Sequence, residues 1–146
     1  MVSRNRTPAD AGALAAGLLV EACPSTPEAS PGLEVVKGLA LDLERRLDAL
    51  SLTEDQQPDS LVEAALACAD LATLAACNLS GLPEDRAPLA AAAVQLSAGV
   101  ARALVVLAEA RAATLDEVHA ENVLRDARGA LWRADLAVRQ IQDPQS

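Results

Sequence analysis

Apolar residues recur three and four positions apart along most of this chain, and breaks rich in proline, serine and acidic residues cut the pattern into five segments. The first opens at Thr7-Pro8, a capping residue before a proline at the first helical position, and runs to about residue 22. Its apolar stripe reads Ala11, Leu14, Ala15, Leu18 and Leu19. Pro24, Pro27 and Pro31 forbid continuous helix across a linker at 24–31, and Ser30-Pro31 restarts it. A second helix near 32–50 carries Val36, Ala40, Leu43, Leu47 and Leu50 on one face, with Lys37, Glu44, Arg45 and Asp48 off it.

A polar loop at 51–59 follows, and Ser60 with Glu63 offers a capping box for a third helix near 60–79. That helix is apolar almost all round, with Asp70 its one strongly polar interior group and Asn78-Leu79-Ser80-Gly81 a glycine-type cap. A fourth helix near 86–112 is an Ala/Leu/Val cylinder with one wet stripe of Gln95, Arg102 and Glu109. Thr114 and Glu117 suggest another capping box, opening a fifth helix near 114–142 with Ala120, Leu124, Ala127, Leu131, Ala134, Val138 and Ile141 at heptad-like spacing. So weak a break also leaves open one kinked rod across helices four and five. The pattern predicts one all-α domain, residues 1–146: an antiparallel bundle of about five Ala/Leu-rich helices.

Composition sharpens that picture. Of 146 residues, 33 are Ala and 24 are Leu, while the chain holds one Trp and neither Phe nor Tyr. Strands favour β-branched and aromatic side chains, so an ordinary all-β or α/β domain is excluded. A hydrophobic share of 51% excludes intrinsic disorder. Two nearly all-apolar helices exceed what one small bundle needs to bury, and Arg102 and Gln95 within one, Glu63 and Asp70 within the other, argue against membrane spans. Packing against a second copy through an Ala/Leu face is the expectation, hence a homodimer.

The net charge of -9 makes nucleic acid a poor partner, because such binding draws its affinity from phosphate neutralisation. Arg125, Arg128, Arg133 and Arg139 cluster late in the chain, but Asp126 and Asp135 interleave with them as on a solvated helix face. Cys23, Cys68 and Cys77 form neither a disulfide framework nor a CxxC motif; they read as small buried hydrophobes suited to a reducing cytoplasm. The short apolar run 11–20, preceded by Arg4 and Arg6 and followed by Val20-Glu21-Ala22-Cys23, also admits an exported lipoprotein. Glu21 is out of place in such a cleavage site, which favours an ordinary first helix.

Candidate chemistry is sparse. His119, the only histidine, lies three residues after Asp116, the spacing of a carboxylate–histidine element in di-metal bundles, but no second such element exists. No metal is expected, and a surface histidine is the simpler reading. No GxSxG elbow or phosphate-cradling glycine loop occurs. Asp70 reads as an interior carboxylate paired with an arginine such as Arg102.

The order of segments does resemble a known family. Thr7-Pro8 before an Ala/Gly/Leu helix, Glu54-Asp55-Gln56 before another helix, Asn78 with Asp85 seven residues on, and a charged final helix are together similar to the cyclodeaminase/cyclohydrolase family. Those are helical folate enzymes, fused to formiminotransferases in some organisms. The chain departs from them at Ala9-Asp10-Ala11-Gly12, where consecutive glycines belong, and at Glu84, where a serine does. The late asparagines are also missing from 98–110. The resemblance implies an all-helical dimer and a folate-like ligand met by Thr7, Asp55 and Asp85, with catalysis left open by the missing glycine turn. A non-enzymatic helical dimer or protein-interaction module stands as the alternative, with no cofactor.

Overall fold

The computed structural model describes residues 7–24, 31–52 and 57–142, and among them every regular element is helical. The helices are α1 (Pro8–Ala22), α2 (Pro31–Leu52), α3 (Pro58–Asn78), α4 (Ala87–Ala112) and α5 (Glu117–Gln142), with a single 3-10 turn at Leu79–Gly81. Asp55 lies outside the described residues.

Successive helices fold back on one another, and α1 to α4 form a square in which α1 abuts α2 and α4 while α3 abuts α4 and α2. Gly12 and Gly17 of α1 face Leu47 and Glu44 of α2 in reverse order, so those two run antiparallel. The start of α4 meets the end of α1, where the Arg86 guanidinium donates to the Glu21 carbonyl at 2.8 Å. The fifth helix lies over the seam between α3 and α4. It runs parallel to α3: Asp59, Asp70 and Cys77 meet His119, Arg133 and Gln140 in the same order. That arrangement corrects the kinked-rod alternative, because Thr114 and Leu115 donate back to Arg111 and Ala112 and the chain reverses at residues 113–116.

Alanine fills the core. Ala15, Ala16, Ala40, Ala65, Ala72, Ala90, Ala98, Ala127 and Ala134 are wholly buried among a few larger residues, notably Leu19, Leu47, Leu71 and Leu104. Small side chains let helix axes approach closely, and Gly12 marks the tightest point: a Cβ there would sit 2.7 Å from the Cys68 sulfur and 3.2 Å from Leu47. This rotates α1 slightly from its expected setting. Its buried face is Ala9, Gly12, Ala13, Ala15, Ala16, Leu19 and Ala22, while Leu14 is 64% exposed. Of the expected stripe, Ala15 and Leu19 are buried and Ala11 and Leu18 pack partly against the core, so only Leu14 is turned out.

The helix ends differ from the expected caps for local reasons. Helix α3 begins at Pro58, whose fixed φ and absent N–H suit the first helical position, so Ser60 lies already inside the helix. Asp116 caps α5 by accepting from the His119 backbone N–H at 2.9 Å, whereas the Thr114 hydroxyl donates backwards to Arg111. Gly81 closes a 3-10 turn with an ordinary negative φ rather than a left-handed cap. At α1 the Asp10 carboxylate accepts from the Thr7 backbone N–H at 2.8 Å, the reciprocal arm of a capping box.

Both long apolar helices meet the length and hydropathy of a membrane span, yet 61% of the α3 window and 50% of the α4 window are buried inside the bundle. Most of α3 is covered by this chain's own helices. Among the described residues Val106, on α4, is the one large apolar group of these two helices left mostly in solvent, and the others lie on α1, α2 and α5.

Candidate functional site

Of the residues singled out by the family resemblance, the two described ones, Thr7 and Asp85, do not converge. Thr7 caps the start of α1, and its hydroxyl oxygen is buried without a hydrogen-bond partner among the described residues. Asp85 is exposed in the turn before α4, next to Arg86, which reaches the opposite end of α1. A 15-residue helix is about 22 Å long at 1.5 Å per residue, and it separates the two.

His119 finds a partner that sequence spacing did not indicate. Its Nε2 lies 2.9 Å from both carboxylate oxygens of Asp59, at the start of α3, while Asp116 is occupied with the α5 cap. Hydrogen bonding to Asp59, reinforced by its charge, holds the imidazole pKa above its ordinary value. The pair is a solvent-exposed staple between two parallel helix starts. Among the described residues no hydroxyl or thiol hydrogen-bonds to the other ring nitrogen. No three metal-ligating side chains cluster among the described residues.

Asp70 is corrected in both partner and place. It is about half exposed, and it pairs with Arg133 at 3.2 Å; Arg102 instead binds Asp135 through two nitrogens at 3.0 and 2.8 Å. The hydroxyl of Ser97 is wholly buried and donates to the Ala93 carbonyl of its own helix at 2.6 Å. Cys68 is fully buried and its thiol pKa is pushed up to about 12, and burial raises that of Cys23 against the opposing pull of Lys37. Cys77 is exposed, contrary to the expectation that all three cysteines are buried.

Two surfaces stand out where chemistry does not. On α5, Trp132 is 67% exposed and Leu136 48% exposed, one turn apart on the side facing away from α3 and α4. Exposed Arg125, Arg128 and Arg139 surround them. The signal was present in the sequence: Trp132 and Leu136 fall off the stripe of Ala127, Leu131, Ala134 and Val138, two large apolar residues on a polar face. On the far side of the bundle, the α1–α2 seam opens into a groove of about 480 Å³. Leu14, Leu18 and Gly17 lie along it, and Asp10, Glu21, Glu44 and Asp48 flank it.

Comparison with protein-family models and with curated proteins finds no match for this chain.

Proposed function

We propose that this protein is a non-enzymatic helical module that self-associates, with the outward face of α5 as its contact surface. The observation that carries the reading is the chain's only tryptophan, two-thirds exposed beside a half-exposed leucine on a helix whose opposite face packs on α3 and α4. Burying a side chain of that size is worth about 1.5–3 kcal/mol, and a Trp rimmed by Arg has the composition of an interface hot spot. The homodimer expected from α3 and α4 thus finds its better basis on α5.

A folate-like ligand held by Thr7, Asp55 and Asp85 is the competing proposal that the family resemblance supplies. The separation of Thr7 from Asp85 does not favour it. Both readings meet in one experiment, since Trp132 is the sole aromatic fluorophore. As protein concentration rises, its emission should shift to shorter wavelength in step with the mass measured by light scattering. Tetrahydrofolate should leave the melting temperature unchanged. A saturable thermal shift with tetrahydrofolate, lost in Asp85→Ala, would replace the interaction reading with a ligand-binding one. A chain that stays a monomer with unchanged emission would end the self-association reading.

A further inference from the structure

We infer that copies of this protein associate head to tail, the α5 face of one seated in the α1–α2 groove of the next. The inference rests on the self-association reading above and specifies which surfaces meet. Three observations carry it.

The first is topological. Helix α5 covers one seam of the four-helix square, between α3 and α4, and the seam diagonally across, between α1 and α2, has no such cover among the described residues. The groove is therefore a place where a helix could lie, and α5 of the same molecule is committed to the other side.

The second is charge. The groove is flanked by four carboxylates, and those of Glu21, Glu44 and Asp48 make no ion pair among the described residues. On the α5 face, Arg128 and Arg139 are likewise exposed and unpaired there, although this chain has almost twice as many acidic as basic residues. Opposite charges on opposed surfaces of one molecule cannot meet within it. They can meet between copies.

The third is register. Asp10, Leu14, Leu18 and Glu21 on α1 follow spacings of four, four and three; Arg128, Trp132, Leu136 and Arg139 on α5 follow the same spacings. Each set occupies one side of its helix, since these steps advance by near-whole turns, and each spans about 16 Å. In both, an acid or base brackets two apolar residues one turn apart. Leu14 and Trp132, both about two-thirds exposed, supply the apolar contact, and the charges at either end fix the alignment.

Because the two surfaces differ and lie on opposite sides, the contact is heterologous and each copy keeps a free surface of each kind. Assemblies should therefore grow past the dimer with concentration and dissociate in high salt. Two charge-neutralised proteins test this by sedimentation velocity at low salt, with circular dichroism confirming that both are folded. One carries Arg128→Gln and Arg139→Gln; the other carries Glu21→Gln, Glu44→Gln and Asp48→Asn. Each alone should self-associate at least about tenfold more weakly than the parent. Mixed together they should form a dimer and nothing larger, because only one intact face and one intact groove remain per pair. Association of both variants at parental strength, or a mixture that stays monomeric while the parent assembles, would overturn the head-to-tail contact and leave self-association standing. A parent that never associates would overturn both.

Discussion

The α1–α2 hairpin and the α3–α4–α5 unit are built from the same residue types yet held differently. In the second unit each helix packs on both others, and its outer seams carry His119–Asp59, Arg133–Asp70 and Arg102–Asp135. The hairpin relies on α1: it meets α4 as extensively as it meets α2, while α2 touches α3 much less. The difference teaches where stability resides. The three pairs are all solvent-exposed, where ion pairs contribute little, so close packing of small side chains, rather than charge, sets the firmness of either region.

The largest effect should follow from emptying the core of the firmer unit. Leu71→Ala removes a wholly buried side chain from α3 and should cost about 2–5 kcal/mol in urea unfolding. Hydrogen exchange would sharpen the contrast further, with α2 amides opening at lower free energy than those of α3.

Next comes a pair of glycine substitutions of opposite sign. Gly12→Ala drives a methyl to 2.7 Å from Cys68 and should cost about 1–2 kcal/mol despite the better helix propensity of alanine. Gly129→Ala meets nothing within 4 Å and should stabilise by about 0.5–1 kcal/mol. Gly12→Ala combined with Cys68→Ala should recover part of the loss, because the sulfur is the nearest obstacle. If Gly12→Ala were neutral, the hairpin would be packed more loosely than its geometry indicates.

Arg133→Ala should change the unfolding midpoint by the equivalent of less than about 1 kcal/mol, since its pair with Asp70 is half in water. The smallest effect concerns pH. The imidazole of His119 is held above its ordinary pKa, so its folded-state bonus is complete below the unfolded value near 6.5 and fades as pH rises through the folded value. The parent should therefore lose slightly more stability between about pH 5 and about pH 9 than His119→Gln does. Identical pH profiles would show the staple to be inert.

Much of the fold was legible because helix signals are local. The amphipathic repeats of α2 and α5 placed Val36, Ala40, Leu47, Ala127, Ala134 and Val138 inside, where they are. The wet stripe of Gln95, Arg102 and Glu109 is on the surface as expected. Helix α1 buried Ala15 and Leu19 as expected but misled at Leu14, because a leucine outweighs an alanine in any hydrophobic tally while the bundle turns the small face around Gly12 inward. Asp70 misled because an apolar helix can still present one edge to solvent, where Arg133 meets it. Helix starts depended on competition between neighbouring cap residues, which sequence ranks only coarsely. The candidate site was the least legible part. Whether Thr7 and Asp85 share a pocket depends on how helices pair, and repeats of alanine and leucine are compatible with several pairings.

The ordering of the chain through the bundle also governs how it assembles itself. Helices α3, α4 and α5 are joined by short turns, so their mutual contacts form between near neighbours at little loop-closure cost. The contact of α1 with α4 instead bridges 65 residues, as the Arg86–Glu21 hydrogen bond illustrates. Folding should therefore begin in the C-terminal unit and finish when α1 docks. Leu71→Ala should accordingly slow refolding, whereas Gly12→Ala should chiefly hasten unfolding, and the two arms of a chevron plot would separate them.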